Sequence, residues 1–114
     1  MIIATAGEIA GKKIVRTLGI ARGNTVRASH IGRDIMAVLR GFVGGEVHEY
    51  TKLLAESREH ALDRMVEEAQ SLGANAVIEV DFATSYVAQN MAEILAYGTA
   101  VVVEDETPPV QVAP

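Results

Sequence analysis

A continuous amphipathic pattern from Gly44 to Gly73 constrains this chain more than any other feature. Apolar or small residues recur at Val47, Tyr50, Leu54, Ser57, Ala61, Met65, Ala69 and Leu72. Steps of three or four place them on one face of a helix. Leu53, Leu62 and Val66 widen the stripe, and Glu49, Lys52, Glu56, Glu59, Asp63, Glu67 and Gln70 form the wet side. Gly44-Gly45 breaks what precedes. Glu46 and Glu49 lie where the positive end of the helix dipole favours acids. Gly73 follows the last apolar residue, the usual place for a left-handed stop. Lys52 with Glu56, and Arg64 with Glu68, are opposite charges four apart, each pair worth about a few tenths of a kcal/mol. At about 1.5 Å per residue the helix runs roughly 40 Å. Something equally long must cover its apolar face.

The strands supply that length. Residues 1–6 are β-prone, and residues 7–13 read as a turn. Residues 14–28 form a strand expected to bend near Gly23-Asn24, since glycine inside a strand marks a bulge or bend. Ser29 is an N-cap candidate for a shorter helix to Arg40, with Ile31, Ile35, Val38, Leu39 and Phe42 on its apolar side and Gly41 as its end. After the long helix, residues 74–89 make a strand whose second half alternates apolar and polar. Gln89-Asn90 reads as a hairpin turn. Residues 92–104 form the last strand, with Gly98 a possible bulge site. The order is β-β-α-α-β-β. The expected class is α+β, a two-layer antiparallel sheet covered by one long and one shorter helix. The helical layer leaves one sheet face that is either polar or met by another subunit. Residues 1–104 make a single domain. Residues 105–114 hold all three prolines and read as a mobile tail.

Composition sharpens this. The chain has 114 residues, 49% of them hydrophobic, yet contains only 2 Phe. The core is therefore aliphatic, and one small domain has more apolar surface than it buries easily, which favours self-association. A formal charge of −5 argues against general nucleic-acid binding. With no cysteine there are no disulfides and no thiolate metal sites, which fits a cytoplasmic protein. Met1-Ile2-Ile3-Ala4-Thr5 lacks the basic and long apolar regions of a signal peptide. No apolar run approaches the ~20 residues of a membrane span.

Several separated motifs resemble one family. They are Gly11-x-x-Ile14-x-x-x-Leu18-Gly19-x-x-x-Gly23, Gly44-Gly45-Glu46 with Tyr50-Thr51 and Arg64-Met65, Leu72-Gly73-Ala74-Asn75-Ala76-Val77, Thr84-Ser85, and Ala96-Tyr97-Gly98-Thr99-Ala100-Val101. Over residues 1–104 the chain resembles the YbjQ-like or UPF0145 family, which also carries the label "putative heavy-metal-binding". The resemblance implies a small YbjQ-like, dodecin-subunit-like α+β subunit assembled as a ring, a homopentamer. The family's biochemical role is unsettled, so the resemblance implies little about chemistry.

The residues themselves offer three kinds of site. For a metal ion, the candidates are His30 with Asp34 and Glu56 with His60, each pair four apart on a helix face, together with His48. No His-x-x-x-His occurs, and His48-Glu49 lacks the second histidine of a zincin. Soft metals want Cys or Met ligands, and Met36, Met65 and Met91 read as core. For a small ligand or a subunit interface, Arg58, Arg64, Asn75, Thr84, Ser85, Tyr97 and Thr99 are polar groups set in apolar stretches. Each needs a partner within the chain, on another subunit or on a ligand. For catalysis, Ser85 has no histidine in the strand region. Adjacent Glu67 and Glu68 diverge on the helix, and Gly41-x-x-Gly44-Gly45 lacks the lysine of a P-loop. The expectation is a non-enzymatic, homo-oligomeric binding or assembly protein without nucleic-acid or membrane partners. A metal-binding protein using histidine and carboxylate ligands is the alternative.

Overall fold

The computed structural model describes residues 1–27, 44–88 and 91–107. The expected shorter helix of residues 29–40, the turn residues Gln89 and Asn90, and residues 108–114 lie outside the described residues. The elements are β1 (Ile2–Ile3), β2 (Lys12–Arg27), α1 (Gly44–Ser71), β3 (Ala76–Ala88) and β4 (Met91–Asp105). The four strands form one sheet in the order β1-β3-β4-β2, with α1 packed on β2 and β4 and barely reaching β3. The class is α+β.

Helix α1 stops as its sequence requires. Gly73 has φ +89°. Its N–H donates to the Gln70 carbonyl at 3.0 Å, and the Ala74 N–H to the Ala69 carbonyl at 3.0 Å. This is a Schellman cap, which satisfies two carbonyls that the helix end leaves open. Ser57, Ala61, Met65 and Ala69 are buried along the inner stripe, with Leu54, Leu62 and Val66 partly buried around them. Leu72 departs from the expected stripe and is exposed, because it falls just beyond Ser71, the last helical residue.

The sheet departs from the antiparallel one that the sequence leads one to expect. β2 and β3 each pair antiparallel with β4, but β1 runs parallel to β3, Ile2 opposite Ala76 and Ile3 opposite Val77. β1 thus runs in the same direction as β3 and β2, and residues 4–11 carry the chain across from one sheet edge to the other. The expected bend at Gly23-Asn24 is absent. The β2–β4 register is unbroken there and shifts instead between Ile14 and Arg16 and between Thr17 and Gly19. Gly19 has φ +116°, a conformation open to glycine at little cost. The irregularity expected at Gly98 lies across from it. Glu79 and Val80 on β3 fall between the pairs Ile78–Thr99 and Asp81–Tyr97 and so bulge opposite Gly98. Strand β4 runs through Asp105, and the Glu106 N–H donates to the Gly11 carbonyl at 3.0 Å.

Alternation sorts the side chains into two faces. Ala21, Ile94, Ala96 and Ala100 meet Ala61, Met65 and Ala69 in one core. On the opposite face, Ala76, Ile78, Val101 and Val103 form a second, smaller core covered by Ile9 from the β1–β2 loop. That cover reaches only one end of the sheet.

Candidate functional site

At the other end the face opposite α1 has no described cover, and register shows what lines it. Residues paired across antiparallel strands share a face. Arg22, Tyr97 and Asp81 form one row, Asn24, Leu95 and Ala83 the next, and Val26, Glu93 and Ser85 the last. Ile20, opposite Thr99, leads into them. Ile20 is 68% exposed, Val26 47% and Tyr97 36%. Asn24 Nδ2 donates to Glu93 Oε2 at 3.5 Å. Asp81 Oδ1 accepts from the Phe82 N–H at 2.8 Å. The surface mixes apolar side chains with both signs of charge. It is an open sheet face on which Ser85 stands opposite Glu93.

The expected polar set does not converge. Ser85, Tyr97 and Thr99 share this face. Thr84, paired with Ile94, lies on the opposite one, and Arg58 is exposed on α1. Arg64 does not hold Glu68: its Nη1 donates to the Asn24 carbonyl at 2.6 Å, tying α1 to β2. Asn75 is structural, since Nδ2 donates to the Val103 carbonyl at 2.9 Å and Oδ1 accepts the Val103 N–H at 2.8 Å. Both side chains are thus spent on backbone groups within the chain. Arg22, Asn24, Asp81 and Glu93 were not among the expected site residues. The alternation of 81–85 pointed to Asp81, but only the register brings Arg22 into line with it.

Of the metal candidates, His30 and Asp34 lie outside the described residues, and His48 sits in the first turns of α1. Glu56 and His60 are exposed on the helix. Among the described residues no group of three or more His, Cys, Asp or Glu is placed to hold a metal ion. With no cysteine anywhere in the chain, the described residues do not fit a soft heavy metal.

A groove of about 430 Å³ lies at the covered end, between Glu8, Ile9, Gly11, Lys13, Val103 and Glu106. Beside it Lys12 forms an ion pair with Asp105. The hydrogen bond from Lys12 Nζ, and then its charge, hold the Asp105 carboxyl below the usual aspartate range. Among the described residues no helix is long and apolar enough to cross a membrane.

Comparison with known proteins agrees with the motifs. A family model described as "Putative heavy-metal-binding" matches residues 1–104. A UPF0145 protein of Pyrococcus horikoshii is 62% identical over 104 residues, covering 91% of this chain and 89% of its own. One from Methanosarcina acetivorans is 60% identical over 101 residues, covering 89% and 95%. A crystal structure of a DUF74-family protein of unknown function from Pediococcus pentosaceus superimposes with a TM-score of 0.61 at 16% identity, covering 91% of this chain and 98% of that one. At that identity the likeness concerns the fold alone. Extended matches at this identity, over the same residues that carry the motifs, place the chain in the UPF0145 family.

Proposed function

We propose that this protein is a homo-oligomeric binding or assembly module whose subunit is completed by its neighbours. One observation carries the reading. On the strands, Ile14, Val15, Ile20, Val26, Phe82 and Tyr97 are large hydrophobic side chains that stay exposed in the single subunit. Ile20 and Val26 lie on the sheet face that no described residue covers, and apolar groups clustered on an open face favour a partner. The family resemblance makes a pentameric ring the expected form. The absence of cysteine accords with a cytoplasmic setting.

The described residues of one chain assemble no group of three or more metal-ligating side chains, so the family's label does not lead the reading. Sedimentation velocity tests it. The wild-type chain should sediment as one closed oligomer, and Ile20→Asp should shift it toward single subunits while keeping its circular dichroism. A wild-type chain sedimenting as a single subunit at tens of micromolar would overturn the reading.

A further inference from the structure

Among the described residues the sheet offers two unpaired edges at the same end, on opposite sides, with opposite charge. β2 is the outermost strand beyond β4. β3 is flanked on its far side only as far as Val80. β1 covers Ala76 and Val77, and the Glu79 and Val80 N–H groups donate to the Ala6 and Ala4 carbonyls. From residue 81 to 88 no other described strand lies beside it. The two irregular steps of β2 precede Ile20, so its regular edge is 20–27. The two regular edges are equal in length, roughly 26 Å each.

Their charges differ in sign. Within 20–27, β2 carries Arg22 and Arg27 and no carboxylate. Within 81–88, β3 carries Asp81 and no cation. A β2 edge would repel a second β2 and attract a β3. An unpaired row of N–H and C=O groups is a ready template for strand addition. Arg64 already takes one carbonyl, that of Asn24, which leaves the rest of the row.

We propose that the subunits join by strand addition, the β2 edge of one copy against the 81–88 edge of β3 in the next. The contact is head-to-tail, and a repeated head-to-tail contact closes a ring when its rotation permits. The sheet then runs continuously from copy to copy, and the uncovered face becomes one surface of the ring. This rests on the homo-oligomer proposed above and specifies its interface.

Double-cysteine chains test it, helped by the absence of native cysteine. The four pairings of Ile20→Cys or Val26→Cys with Ala83→Cys or Ser85→Cys sample the register with side chains on one face. Within a chain, β2 and β3 are separated by β4, about 10 Å apart, too far for a disulfide. Native mass spectrometry first confirms that each variant assembles as the wild type does. Oxidation of at least one double variant should then give a disulfide ladder on denaturing gels that extends past dimers, while each single variant stays monomeric. An assembled protein that yields no ladder in any pairing overturns the edge contact and leaves the oligomer standing. Disulfide dimers from a single variant would show a two-fold interface and also overturn it. A monomeric wild type removes both.

Discussion

Gly23 on β2 and Ala61 on α1 touch backbone to backbone: a Cβ built on Gly23 would lie 2.3 Å from the Ala61 carbonyl oxygen and 2.3 Å from the Met65 nitrogen. The helix therefore rests on the strand at a spacing only glycine permits. Ala21, Ala96 and Ala100 on the sheet and Ala69 on the helix extend the same close approach. Gly23→Ala should force the layers apart and cost about 1–3 kcal/mol, as overpacking of a filled core does. Urea unfolding would measure it, and Gly23→Val should be worse. An unchanged midpoint for both would mean the layers are not packed at that distance.

Among the described residues Met65 is the largest side chain of the helical stripe to be wholly buried. Met65→Asp places a carboxylate in an aliphatic core, which folding cannot tolerate cheaply. Loss of cooperative unfolding is expected. Leu54→Asp, only partly buried, should be milder. Equal tolerance of both would put the stripe on the wrong face.

Glu79 adopts φ +53°, the left-handed region, at the β3 bulge. Gly98 leaves it room, since a Cβ there would meet Val77 Cγ1 at 2.7 Å and the Ile78 carbonyl at 2.8 Å. Glu79→Gly should be close to neutral, because it relieves strain but loosens the unfolded chain. Glu79→Val should cost roughly 1–3 kcal/mol, since a β-branched residue is poorly accommodated there. Thermal melts of the pair read the difference, and its absence would argue against the bulge.

The helical layer could be read from sequence because its signals are local. The apolar spacing, the wet side and the stop at Gly73 all act within a few residues of themselves. The strands could be read too, but their partners could not. Gly23 looked like a bend because a glycine inside a strand has two explanations, and only the helix above it selects between them. Gly98 marked the right place on the wrong strand, since a bulge is a property of a pair. The site suffered most. Asn75 and Arg64 looked like unpaired polar groups until Val103 and Asn24 supplied their partners from distant parts of the chain. Arg22 and Asp81 flank Tyr97 only through register, which no single-strand pattern encodes.

Lys12 and Asp105 join the exposed ends of β2 and β4. Because the folded pKa of Asp105 is lowered, the stabilisation it gives is present above the unfolded pKa. It is lost as pH falls through the folded value. An NMR titration should place the Asp105 midpoint below that of an ordinary aspartate, and Lys12→Ala should return it there. Added salt should weaken the shift, since the pair is in solvent. A midpoint that ignores Lys12 would mean the ion pair does not persist in solution.

The most direct test of the assembly account is native mass spectrometry on untagged protein purified without chelators. It reads stoichiometry and bound mass together. The account requires one dominant species at a whole-number multiple of the 12.1 kDa subunit, which the family resemblance sets at five. A spectrum of single subunits at working concentration would contradict it. A metal mass bound to each subunit would instead restore the histidine and carboxylate reading.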